Sequence, residues 1–178
     1  MRMRHATLPV GGLLLLGCAL AGPAGPETER VCPDFTLTDL DGRPYRLYAE
    51  LRERPALLWM TNLCAGCQAK IPFVDRLHAT FRDRLAVFAI SVLGDDRDTP
   101  ARIRDERRPT FPLLLDPHDW VGTYLGFPHA GNLCPLNNAI LVRRNGSIAW
   151  RGHLSAASEE EVEGAVRALL AEGTRAGR

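Results

Sequence analysis

Two near-continuous apolar runs, Ala56 to Met60 and Leu85 to Val92, constrain this chain more than any other feature. A strand that alternates apolar and polar residues needs one covered face, whereas a strand apolar throughout must be covered on both. Between the runs, Ile71, Val74, Leu77 and Phe81 recur at helical spacing and supply one such cover. Shorter strands surround this unit. Phe35-Thr36-Leu37 and Tyr45-Arg46-Leu47 flank Asp41-Gly42, a hairpin signal. Phe111 to Leu115 reads as a short strand, preceded by the polar, helix-compatible Thr99 to Arg108 with Pro100 suited to its first turn. Ala139 to Val142 and Ile148 to Trp150 flank Asn145-Gly146, the strongest two-residue hairpin signal. Ser158 and Glu161 form a capping box, and the helix they open carries Val162, Val166, Leu169 and Leu170 on one face. The order ββ-βα-βα-βα-ββ-α predicts one α/β domain, a mixed central sheet flanked by helices, over residues 31–172 with a flexible tail at 173–178.

Composition narrows the function. Hydrophobic residues make up 46% and charged residues 24% of the chain, which excludes a disordered or collagen-like polymer. The net charge is +1, so no positive excess is available for a phosphate backbone and no nucleic-acid partner is expected. Arg2, Arg4 and His5 precede an apolar run from Leu8 to Leu20, the pattern of a secretory signal peptide over residues 1–21. That run is shorter than the ~20 residues of a spanning helix. Ala19-Leu20-Ala21 fits ordinary signal cleavage. Leu15-Leu16-Gly17-Cys18 instead resembles a bacterial lipobox, with Cys18 as the lipidated first residue, and its Gly-Cys pair at the end of the Leu run favours this form. By the same resemblance to bacterial lipoproteins, the Ala after Cys18 points away from inner-membrane retention. Either cleavage predicts export to the oxidising periplasm, with the membrane touched only through a lipid anchor, and residues 22–30 read as a tether.

Cys64-Ala65-Gly66-Cys67 follows the first buried strand and opens the amphipathic helix. The spacing sets the second sulfur less than one helical turn from the first. Amide N–H groups at a helix start stabilise a thiolate. A thiolate attacks a substrate disulfide, and a second thiol resolves the mixed disulfide. Cys64 is therefore the expected nucleophile and Cys67 the resolving thiol, with Lys70 adding positive charge one turn on. A structural disulfide is the alternative, and half of a zinc site would need a second ligand pair at comparable spacing, which the sequence lacks.

With these residues in hand the chain resembles the thioredoxin-like superfamily, and within it the TlpA-like exported thiol–disulfide oxidoreductases, from about Pro33 to Leu170. The segment Cys32 to Leu47 looks like that family's opening hairpin, and Ala56 to Pro72 like its active-site segment. Pro72 stands where such folds kink the active-site helix, and Gly94 to Asp116 matches the helix and strand that this branch inserts. The resemblance implies a thioredoxin-like fold and protein substrates bearing disulfides or thiols, together with a redox partner. It also implies a cis-proline before a late strand, for which Pro135 is the best candidate and Pro128 the runner-up. No cofactor is expected.

Several positions depart from that family. Leu63 replaces a usual Trp, Ala65-Gly66 replaces a dipeptide that often contains Pro, and Lys70 replaces a frequent Glu. Cys134 precedes Pro135 and would bring a third sulfur to Cys64 and Cys67, either as a packing residue or as a redox thiol or metal ligand. Three sulfurs favour Cu(I) or Zn, and His129 is a fourth candidate ligand. The copper-handling SCO family is thus an alternative resemblance, although its pair is usually C-x-x-x-C. A peroxiredoxin is a third, because Thr61 stands three residues before Cys64, where that family positions peroxide. Cys32 reads as a lone thiol.

Overall fold

The computed structural model describes residues 31–125 and 138–175. Cys18, Pro128, His129, Cys134 and Pro135 lie outside the described residues, so the expectations for them remain expectations.

The chain opens with β1 (Thr36–Asp39) and β2 (Pro44–Arg46), paired antiparallel across the expected turn. Gly42 holds φ +81° there, and the Asp39 Oδ1 accepts the N–H groups of Asp41 and Arg43 at 2.9 Å each. The sequence reading extends the second strand to Leu47, whereas in the structure Leu47 begins α1 (Leu47–Glu53). Leu47 and Leu51 are both buried, and their i,i+4 spacing presents one face to the sheet.

The two apolar runs form β3 (Ala56–Thr61) and β4 (Ala86–Ser91), buried at every position and paired parallel. Between them lie α2 (Ala65–Gln68) and α3 (Ile71–Phe81). The inserted pair is α4 (Asp98–Arg107) and β5 (Leu113–Leu115), with Pro100 in the first turn of the helix. Arg108, at φ 48°, ends that helix in the left-handed region. A short helix absent from the sequence reading, α5 (Trp120–Tyr124), follows. β6 (Ala139–Val142) and β7 (Ile148–Gly152) form the second hairpin, and α6 (Glu159–Arg175) closes the described chain. Ser158 caps α6 as expected, its Oγ accepting the Glu161 N–H at 3.1 Å. The helix continues to Arg175, beyond the residue 172 taken from sequence as the end of the domain.

The described strands make one mixed sheet in the order β2-β1-β5-β4-β3-β6-β7. Alternate residues of β3 face opposite ways. Leu57 and Trp59 join Ile71, Val74, Leu77, Val162 and Val166 on one side, where α3 and α6 pack. Leu58 and Met60 join Leu47, Leu51, Val121 and Leu125 on the other, under α1 and α5. Both faces are covered, as a strand without polar positions demands. The parallel strands β3, β4 and β5 end together, because Thr61 pairs with Ser91 and Ser91 with Leu115. In open sheets of this kind, ligands and chemistry collect at that carboxyl edge.

Candidate active site

The carboxyl end of β3 leads straight into the cysteine pair. Thr61 is buried, and its Oγ1 accepts the Leu63 N–H at 3.0 Å. Asn62 Oδ1 accepts the Cys64 N–H at 3.1 Å. These two side chains fold the turn and let Leu63 take φ 56°, a left-handed value uncommon for a residue with a side chain. Gln68 Nε2 donates to the Leu63 carbonyl at 2.7 Å and ties the same turn to the helix that follows.

Cys64 is the N-cap of α2, extended at φ −62° and ψ 167°, and its carbonyl accepts the Gln68 N–H at 2.8 Å. It is exposed, whereas Cys67 has no exposed surface. The amphipathic helix for which the resemblance implies a kink at Pro72 is two pieces here. α2 stops at Gln68, and α3 starts at Ile71 with Pro72 in its first turn. Pro72 has no N–H to give to the Gln68 carbonyl, so the hydrogen-bond ladder breaks just before it. Lys70 sits in the break, half-buried, as the N-cap of α3.

The structure brings two asparagines to Cys67 that the sequence reading does not single out. Asn62 Oδ1 lies 3.9 Å from Cys67 Sγ, in the direction of an S–H donor. Asn138 Nδ2 lies 4.0 Å from the same sulfur and donates to it. Asn138 is fully buried at the start of β6, its carbonyl accepting the Met60 N–H at 2.8 Å. Its Oδ1 accepts the Leu154 N–H at 3.0 Å, which fastens the loop after β7 beside the pair. In that loop His153 Nδ1 accepts the Ser155 N–H at 3.2 Å, and burial pushes this histidine below its ordinary value. A Cβ on Gly66 would sit 3.5 Å from Ser155 Oγ and 3.9 Å from Cys64 Sγ, so Gly66 lies between this loop and the first sulfur. Asparagine beside an apolar strand is an ordinary strand end, and nothing in its sequence context distinguishes Asn138.

Cys32 is buried on the other face of the sheet, among Leu37, Leu47 and Val142. It takes no part in the pair. Among the described residues no three metal-ligating side chains come together. No described helix is long and apolar enough to cross a membrane.

An exposed sulfur at a helix start, with a second sulfur buried three residues on, sits at the carboxyl edge of a sheet covered on both faces, and this is a thioredoxin-like fold. The chain belongs to the AhpC/TSA family, whose model matches residues 28–151. It is similar to the thiol-disulfide oxidoreductase ResA of Geobacillus kaustophilus, 29% identical over 119 residues, covering 65% of this chain and 63% of that protein. The chain therefore spans less than two thirds of the length of that relative. Two Mycobacterium tuberculosis structures share the fold. The peroxidoxin BcpB aligns with a TM-score of 0.67 at 23% identity, over 80% of this chain and 96% of that one. A secreted disulfide oxidoreductase homologous to E. coli DsbE aligns with a TM-score of 0.61 at 24% identity, over 76% of this chain and 96% of that one.

Proposed function

We propose that this chain is a thiol–disulfide oxidoreductase that exchanges disulfides with partner proteins through Cys64 and Cys67. The observation that carries the reading is the difference in access between the two sulfurs. Cys64 is exposed at the start of α2, and Cys67 is buried three residues on. A partner disulfide therefore meets Cys64 first. Its thiolate attacks one partner sulfur, the partner S–S bond breaks, and the displaced sulfur leaves as a thiolate that takes a proton from water. Cys67 gives up its proton to water and attacks Cys64 Sγ. The Cys64–Cys67 bond forms as the second partner sulfur departs. The partner gains the two electrons that the dithiol loses, and a redox partner restores the pair. The reverse sequence oxidises a partner dithiol. The name of the ResA relative supports this reading, and the secreted neighbour supports export. A signal over residues 1–21 and a lipid anchor at Cys18 are supported by the sequence pattern alone.

The test is trapping. Cys67→Ser should accumulate mixed disulfides with partner proteins, and Cys64→Ser should not. Equal trapping by both variants, or by neither, would sink the assignment. Membrane fractionation tests the anchor, since Cys18→Ala should release the protein, and a mature N-terminus at Gly22 would establish ordinary secretion instead.

The AhpC/TSA match and the peroxidoxin neighbour favour one second reading, in which the Cys64 thiolate reduces a hydroperoxide. Cys64 would take one oxygen as a sulfenic acid, releasing water or an alcohol, and Cys67 would condense with it to a disulfide, releasing water. Single-turnover mixing of the reduced protein with hydrogen peroxide separates the two. Oxidation of Cys64 no faster than that of an ordinary thiol removes the peroxidase reading.

A further inference from the structure

We propose that Asn62 and Asn138 are positioning residues that act on Cys67 in opposite senses, Asn62 holding the proton on its sulfur and Asn138 helping to take it off. The inference rests on the dithiol reading above and goes beyond it by naming what controls the resolving step.

The orientation of both amides follows from their backbone partners. A backbone N–H can only donate. Asn62 must turn its oxygen to the Cys64 N–H at 3.1 Å, and that same oxygen faces Cys67 Sγ at 3.9 Å. Asn138 must turn its oxygen to the Leu154 N–H at 3.0 Å, which leaves Nδ2 facing the sulfur at 4.0 Å. Cys67 thus meets an acceptor in Asn62 and a donor in Asn138. A thiol suits both, giving its S–H to Asn62 and accepting from Asn138. A thiolate loses the first contact and faces a carbonyl dipole of the wrong sign, while the second contact strengthens because its acceptor is now charged. The pair sits where Cys67 is wholly buried, so water does little to mask either amide.

Cys67 attacks the mixed disulfide only as the thiolate. The balance between the two asparagines then sets how long a partner stays covalently held at Cys64. Other titratable groups on the surrounding elements are Cys64 and Lys70 on the same segment and His153 on the loop after β7. On α3, Asp75 is engaged by Thr110 and Arg76 by Glu159. An aspartate at either asparagine position keeps the bonds that hold Cys64 and the loop of His153 in place.

The experiment loads the full-length protein at Cys64 with 5-thio-2-nitrobenzoate and confirms the position by peptide mass. Release of that group as Cys67 attacks is then followed across pH. At neutral pH, Asn62→Ala should release it roughly threefold faster than the parent and move the midpoint of the profile down. Asn138→Ala should release it roughly threefold slower and move the midpoint up, each change being about the size of one hydrogen bond. Asn62→Asp and Asn138→Asp keep the bonds to the Cys64 and Leu154 N–H groups, add negative charge beside the sulfur, and should both move the midpoint up. These isosteric variants carry the test if either alanine variant fails to fold. Midpoints that all stay put, or alanine variants that shift the same way, overturn the proposal while leaving the dithiol reading intact. A parent protein that never releases the group overturns the dithiol reading and this one with it.

Discussion

Cys32 and Cys64 are the same residue type in opposite settings, and the setting decides which one reacts. Cys64 is exposed at the start of α2. Cys32 is buried, and burial, helped by the neighbouring Asp34 carboxylate, pushes its thiol from 9.0 up to about 12. Thiolate, not thiol, is the reactive form. Brief alkylation of the reduced native protein at neutral pH should therefore label Cys64 and spare Cys32 until the chain is denatured, as read by peptide mass. Labelling of both at equal rate would contradict the burial described here. The same shift has a thermodynamic consequence. A folded value above the unfolded one means that the thiol's contribution is fully present below about 9 and is lost as pH rises toward about 12. Tyr48, whose hydroxyl donates to the Cys32 carbonyl at 2.9 Å, is also raised, chiefly by burial, and adds a loss of the same sign. Unfolding free energy measured by denaturant titration should fall across this alkaline range, and Cys32→Ala should make the fall shallower.

At the scale of elements, two short connections depend on single residues. The β6–β7 turn needs Gly146 twice over. Its φ is +88°, and a Cβ there would overlap the Tyr48 hydroxyl. Gly146→Ala should cost about 1–3 kcal/mol, seen as a lower melting temperature, since it adds both backbone strain and a clash. The Asn145-Gly146 signal in the sequence carries the turn, but the contact with a residue of α1 is visible only in the fold. Helix α5 depends on Asp116, which is buried and accepts the Trp120 N–H at 3.0 Å and the Val121 N–H at 2.9 Å. Asp116→Ala should destabilise the protein by about 1–2 kcal/mol through the lost cap, with Asp116→Asn less severe because one acceptor remains. Neither α1 nor α5 was legible in sequence for a simple reason. They are 7 and 5 residues long, too short to establish a period, and their apolar positions pay off only against a sheet already formed.

For the whole molecule, the cysteine pair and the entry of the chain lie at opposite ends of the sheet. Cys64 follows the carboxyl end of β3. The chain enters the domain at the other end, where Val31 bridges to Ser147 and the Cys32 N–H donates to the Gly146 carbonyl at 2.8 Å. Val142, at that turn, pairs with Ala56 at the first residue of β3. The length of the strand, roughly 3.3 Å per residue, therefore separates the entry point from the cysteine pair. Whatever precedes Val31 leaves from the end away from Cys64. A bulky folded domain fused ahead of residue 31 should change the rate of disulfide exchange at Cys64 by less than about twofold if that approach is limited only by access and not by electrostatic steering. A large loss of rate would show that the preceding segment reaches the active edge.

Local chemistry settled what could be read from the chain alone. Apolar runs without polar gaps dictate strands covered on both faces, the 3.6-residue spacing of Ile71, Val74 and Leu77 dictates a helix, and two cysteines three residues apart bring two sulfurs within one turn. Each of these depends on neighbours a few residues apart. Tertiary structure decided the rest, because it depends on residues remote in sequence. Asn138 and Cys67 are 71 positions apart and meet only because β6 adds beside β3. The burial that separates Cys67 from Cys64 and the side of the sheet that hides Cys32 follow from which surfaces are covered. Coverage is a property of the packed chain, since a side chain loses water only when elements from distant segments close over it.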